Sequence, residues 1–287
     1  MITDKETNFV YFSKLLKTKV EFAHSCNRIT SLLEENQIKY DFLEETKDIW
    51  ARDYMPIQTD INSFVQFRYE PSYLKKYPHL QSNPKDVCKA NGLTPKFSKG
   101  INVINLDGGN VVKWTDRVIL SDRIFLENPQ YTDRKMLITD IEKDLNAEVI
   151  LIPQIISDFT GHADGLVRFY DEKTLIGNKL NDEYKYWGNA MKKFIQQYGF
   201  KYIEMPVFDY KAPYKNKYLS AIGCYMNYLE IRNLIVFPVF ELEGNKDDEA
   251  FDLISSLYHD KIIKRININD IAFEGGLMNC ISWNIKA

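Results

Sequence analysis

The sequence has 287 residues, of which 45% are hydrophobic and 27% charged, the balance of a folded chain with a sizeable core and not of a disordered one. A formal net charge of −3 leaves no basic footprint for nucleic acid, and the longest apolar run, Leu234 to Phe240, is far too short to span a bilayer. Cys26, Cys88, Cys224 and Cys280 are widely spaced, match no zinc motif and read as free thiols; with no basic-then-apolar leader at Met1 to Glu6, the expectation is a cytoplasmic protein.

In chain order, residues 21–36 read as a helix and Ile38 to Leu43 as a strand. A first unit starts near Asp53, pairs with Phe64 to Phe67 and closes with Ile101 to Leu106. The second has short β-rich runs at Asn110 to Trp114 and Arg117 to Ser121. A helix follows from about Thr132 to Asn146, with Met136, Leu137, Ile141 and Leu145 at helical spacing, and Glu148 to Pro153 closes the unit. The third repeats this order with Leu166 to Tyr170, Thr174 to Gly177, a helix from about Asp182 to Gln197, and Lys201 to Pro206. The fourth has Cys224 to Leu229, Leu234 to Phe237, a helix from about Lys246 to Tyr258, and Ile262 to Ile268.

The last strand, Cys280 to Ile285, has no helix after it, so its partners are sought at the head of the chain. Five strand–strand–helix–strand units, the fifth built from both ends, would close an α/β propeller spanning residues 1–287 as one domain; ring closure protects the sheet edges. An open α+β sheet is the alternative.

Polar residues stand where each unit begins: Asp53, Asp107, His162 with Asp164, and Cys280. Asp53, Asp107 and His162 stand 54 and 55 residues apart, and Cys280 follows 118 after His162, two steps of 59. In a ring of equal blades this spacing brings them to one end of the central channel. The skipped unit falls near Gly223 to Tyr225, where no acid or histidine stands.

Four segments carry a resemblance: Asp48 to Pro56 (Asp-Ile-Trp-Ala-Arg-Asp-Tyr-Met-Pro), Asp107 to Asn110, Gly161 to Gly165 and Gly275 to Cys280. In this order and spacing they resemble the agmatine deiminase and bacterial-type peptidylarginine deiminase family of guanidino-group-modifying enzymes, from about residue 40 to the C-terminus. The resemblance implies a five-bladed α/β propeller that hydrolyses a guanidino compound to a ureido product and ammonia, with no cofactor and no metal. It implies Cys280 as nucleophile, forming a covalent thiouronium intermediate, and His162 as proton shuttle. Asp107, standing where the family usually carries glutamate, would orient the histidine, and Asp53 and Asp164 would grip the guanidinium through paired hydrogen bonds. Asn110 belongs to the matching motif. Trp50 reads as core or channel wall, and Arg168 as a brace for the acids or a partner for a substrate carboxylate.

Leu277 and Asn279 stand where agmatine-specific members carry glycine and histidine. The substrate therefore stays open among agmatine, free arginine, a peptidyl arginine and another guanidino compound. Two other readings remain: an amidinotransferase with the same cysteine, histidine and acids, and a guanidino-binding protein without catalysis. The expected partner is a small guanidino molecule; the oligomeric state stays open, a homo-oligomer included.

Overall fold

A computed structural model describes residues 1–98, 103–210 and 220–287. From the head of the chain, β1 (Phe9–Ser13) and β2 (Lys39–Leu43) flank the helix Ala23–Glu35. Next come β3 (Ile57–Asp60) and β4 (Ser63–Gln66), the helix Pro84–Ala90 and β5 (Lys96–Phe97). Then β6 (Val112–Lys113) and β7 (Arg117–Ser121) precede the helix Arg134–Leu145 and β8 (Glu148–Ile152). The order recurs in β9 (Val167–Phe169), β10 (Thr174–Asn178), Lys185–Tyr198 and β11 (Lys201–Met205). It recurs again in β12 (Leu229–Ile231), β13 (Leu234–Pro238), Asp247–Leu257 and β14 (Ile262–Ile266), before the final β15 (Ser282–Ile285).

These strands form five three-stranded sheets: β3-β4-β5, β6-β7-β8, β9-β10-β11, β12-β13-β14 and β15-β1-β2. In each, the first strand runs antiparallel to the central one, and the third runs parallel to it. A parallel return needs a crossover of a dozen or more residues, which the helix of each blade supplies. The fold is a five-bladed α/β propeller. The two ends of the chain share a blade, with β1 paired to β15 from Phe9↔Ile285 to Phe12↔Ser282.

Local sequence explains where the helices stop and what they bury. Asp133 caps Arg134–Leu145 by accepting from the Lys135 N–H at 2.8 Å, and Asn146 ends it in the left-handed region at φ 51°. Leu137, Ile141 and Leu145 form its buried stripe. Lys185–Tyr198 stops at Gly199, φ 69°, and buries Trp187, Met191 and Phe194. The central strands lie between helix and neighbouring blades, so Leu234 to Phe237 of β13 are fully buried.

Several segments differ from the sequence expectation. Phe9–Ser13 forms a strand that sequence reading left unassigned. Cys224 to Tyr228 is loop, because turn bonds such as Cys224 N–H to Ala221 O (3.1 Å) and Asn227 N–H to Cys224 O (3.3 Å) hold the backbone folded until β12 begins at Leu229. The run Cys280 to Ile285 divides, with Cys280 on the helical turn Met278–Ile281 and only Ser282–Ile285 as strand. The closing strand of the first unit is Lys96–Phe97, followed by a parallel bridge from Arg68 to Asn105. Of the run expected there, residues 101 and 102 lie outside the described residues. Among the described residues no helix is long and apolar enough to cross a membrane.

Candidate active site

Equivalent places in four blades supply the polar side chains, each on the approach to a first strand. Asp53 sits on the helical turn Ala51–Tyr54 ahead of β3, and Asp107 stands immediately before the 3-10 turn Gly108–Asn110 ahead of β6. His162 and Asp164 occupy the loop before β9, and Cys280 the turn before β15. These turns, not the strands, aim the side chains; His162 and Asp164 do not share a strand face.

Asp53, His162, Asp164 and Cys280 line one cavity of about 520 Å3, with Trp50 and Cys224 also on its wall. Two glycines make this closeness possible. A Cβ on Gly109 would lie 2.5 Å from His162 Nδ1 and 2.6 Å from Asp53 Oδ1. A Cβ on Gly276 would lie 2.4 Å from the Trp50 ring and 2.9 Å from the Cys280 Cβ.

His162 is held from both sides. Its Nε2 lies 3.0 Å from Asp107 Oδ2, so aspartate reaches the ring despite being one methylene shorter than glutamate. Tyr73 donates to the same Asp107 oxygen at 2.8 Å. On the other side His162 Nδ1 is 3.7 Å from Asp53 Oδ1, an oxygen that is buried and has no hydrogen-bond partner among the described residues.

Burial by itself would strip the proton from His162, but the carboxylates of Asp53, Asp107 and Asp164 outweigh it and push its pKa up to about 10. Asp53 is raised to about 7 by burial and by the charges of Asp107 and Asp164, against the pull of His162. Asp164 is raised by burial, with His162 and the Asn279 hydrogen bond opposing. Burial and the charges of Asp164 and Asp53 push the Cys280 thiol well above its usual range. The cavity is thus lined by an imidazolium, a neutral thiol and an excess of buried carboxyl groups.

Asp107 lies behind His162 and does not line the cavity. Asn110 and Arg168 do not line it either. Asn110 accepts from the Ser121 N–H at 2.8 Å and so ties the turn ahead of β6 to the end of β7. Arg168 lies beneath the floor, where it donates to Asn279 Oδ1 at 2.9 Å and stacks on Tyr228 at 4.1 Å. Arg52 joins it there, donating to Asn279 Oδ1 at 3.1 Å.

Sequence reasoning missed Asn227, the contribution of the fourth blade. Its Oδ1 accepts from the backbone N–H groups of Asn279 (3.1 Å) and Cys280 (3.2 Å), and its Nδ2 donates to Asp164 Oδ2 at 3.3 Å. It clamps the turn that carries Cys280. Its signal was its place, two residues ahead of β12, as Asn110 stands two ahead of β6.

The model of the Porphyromonas-type peptidyl-arginine deiminase family matches residues 12–285. The chain belongs to this family. Membership makes it a hydrolase acting on the C–N bonds of linear amidines. Comparison with curated protein sequences gives no match. Among solved structures, the agmatine deiminase of C. jejuni superposes with a TM-score of 0.78 at 18% identity, covering 100% of this chain and 95% of that one. The agmatine deiminase of Enterococcus faecalis gives 0.76 at 14% identity, covering 99% and 95%. An arginine dihydrolase from cyanobacteria, ArgZ, gives 0.58 at 12% identity, covering 97% of this chain and 40% of that chain. These likenesses, all below 25% identity, establish the shared fold.

Proposed function

We propose that this family member hydrolyses the guanidinium group of an arginine-like small molecule, releasing ammonia and leaving a ureido product. The observation that supports the reading best is the composition of the cavity: Asp53 and Asp164 beside Cys280 and His162, with Asp53 Oδ1 buried and accepting no hydrogen bond among the described residues. A buried carboxylate oxygen that accepts no hydrogen bond is costly, and a planar cation with N–H groups along its edges relieves that cost.

The chemistry follows from the charges. An arriving guanidinium adds a buried cation between the two acids and lowers the pKa of the thiol, which loses its proton to solvent. The Cys280 thiolate attacks the guanidinium carbon and gives a neutral tetrahedral adduct. His162, held protonated by its carboxylates, delivers a proton to one nitrogen; the C–N bond breaks, ammonia departs and a cationic thiouronium remains on Cys280. Neutral His162 then takes a proton from water, and the resulting hydroxide attacks the same carbon. The C–S bond breaks, the thiolate leaves with its electron pair, and the hydroxyl proton passes to solvent as the urea forms.

The test is ammonia release from agmatine, free arginine and an arginyl peptide, with Cys280→Ala as control. Ammonia from one of these, lost in the variant, supports the reading and names the substrate class. Silence with all three, but amidino transfer once an amine acceptor is added, would replace it with the amidinotransferase reading.

A further inference from the structure

Asn279 has no part in the scheme above, yet its side chain joins the cavity to the charges beneath it. Its Nδ2 donates to Asp164 Oδ2 at 2.6 Å, and its Oδ1 accepts from Arg52 at 3.1 Å and from Arg168 at 2.9 Å. Donor chemistry fixes which end faces which way. A guanidinium can only donate, so the carbonyl must face the two arginines; a carboxylate can only accept, so the amide nitrogen must face Asp164. Of the protein side chains that fit here, a carboxamide supplies both ends at once.

The arrangement is buried throughout, with Asn279 and Asp164 each 4% and Arg168 5% exposed. Arg168 is anchored from below by Asp4 Oδ2 at 3.4 Å, and Asp4 also pairs with Lys113 at 3.3 Å. The second nitrogen of Arg168, Nη1, has no hydrogen-bond partner among the described residues, so this guanidinium is held by Asn279, Asp4 and the neighbouring Tyr228. Asn227 donates to the same Asp164 oxygen that Asn279 meets. With both amides on Oδ2, the other oxygen of Asp164 is left for a ligand.

We propose that Asn279 is a positioning residue, which fixes the Asp164 carboxylate for the substrate guanidinium by strapping it to the buried Arg52 and Arg168. The proposal rests on the deiminase reading, in which Asp164 holds the guanidinium. The hydrogen bond from Asn279 and the charges of the two arginines each favour the ionised form of Asp164 against the burial that disfavours it. Without the strap, Asp164 is freer to turn and takes up a proton at higher pH.

The experiment has two independent readouts. The first needs no substrate: infrared pH titration of the Asp164 carboxyl band, identified by its disappearance in Asp164→Asn. In Asn279→Ala the midpoint is expected to rise by about one pH unit or more, the size that accompanies loss of a charge-assisted hydrogen bond. The second is kinetic, on the substrate found by ammonia release. There kcat/KM is expected to fall roughly ten- to hundredfold, chiefly through KM, and its acid limb to move to higher pH. Asn279→His, whose neutral ring offers one donor and one acceptor, is expected to recover part of both.

If Asn279→Ala does not fold, Asn279→Ser carries the same expected directions. A folded variant with an unmoved carboxyl midpoint overturns the proposal. So does a loss of activity confined to kcat with the acid limb in place. Absence of turnover in the unaltered protein would sink the deiminase reading, while the infrared midpoint would still decide the strap.

Discussion

Gly109 sits so close to His162 that a single Cβ would come within 2.5 Å of the imidazole Nδ1 and 2.6 Å of Asp53 Oδ1. The second blade therefore presses bare backbone between the histidine and the acid of the first. Asp164 is fixed to the same backbone, its N–H donating to Gly109 O at 3.2 Å. Gly109→Ala must displace His162 or Asp53. Misplacing catalytic groups by about 1 Å costs on the order of a hundredfold. We expect Gly109→Ala to lower kcat/KM by about that factor while the protein stays folded, as read by circular dichroism. Wild-type activity in a folded Gly109→Ala would mean that the His162–Asp53 geometry is not needed.

The pH dependence has two limbs with separate origins. Asp53 and Asp164 must both be ionised to pair with a guanidinium; burial raises both, Asp53 to about 7 with the charges of Asp107 and Asp164 adding to it, so kcat/KM should rise as pH climbs through about 7. His162 must be protonated to release ammonia, and its value near 10 places the alkaline loss there. The same shift bears on stability. The folded chain holds the histidine proton more tightly than the unfolded one, so that contribution is complete below about 6.5 and fades as pH rises through about 10. A profile flat down to pH 5 would remove Asp53 from the reading.

How much of this was visible in the sequence depends on what kind of signal each residue gave. The five blades were legible because each repeats two β-rich runs, a helical stripe and a closing strand. That Asp53, His162, Asp164 and Cys280 face one cavity followed from their spacing, since equal steps around a ring return to the same end. Cys280 itself was misplaced onto a strand. The run Cys-Ile-Ser-Trp-Asn-Ile has β propensity, but the clamp from Asn227 on the N–H groups of Asn279 and Cys280 holds a helical turn there. Asn227 was passed over because an asparagine before a strand reads as a turn residue, and only its place relative to β12 marked it. Arg168 and Asn110 carry motif-like context but face away from the cavity, and spacing alone does not reveal which way a side chain turns.

The Cys280 thiol stands against buried carboxyl groups, and that predicts its reactivity. Burial first, then Asp164 and Asp53, hold it protonated at neutral pH. Alkylation by iodoacetamide, followed at the Cys280 peptide by mass spectrometry, should be slow at pH 7.5 and accelerate only above the ordinary thiol range. Asp164→Asn removes one of the opposing charges and should speed alkylation at neutral pH. The same variant should weaken productive binding of the guanidino substrate, because a buried cation loses one of its two carboxylates. Fast alkylation of the unaltered protein at pH 7.5 would contradict the neutral thiol.

The blade shared by the chain ends predicts a long-range dependence. β1 is the central strand of β15-β1-β2, and β15 follows within two residues of Cys280. Phe12, fully buried on β1, is paired in register with Ser282 on one side and Phe42 on the other. Phe12→Ala leaves a cavity in this blade and should cost about 3–5 kcal/mol of stability. Because the nucleophile turn is continuous with β15, activity in the variant should be lost at a lower denaturant concentration than global unfolding, as this blade loosens before the other four. Coincident loss of ammonia release and of far-ultraviolet circular dichroism across a urea titration would show instead that the five blades melt as one unit, with the two ends no weaker than the rest.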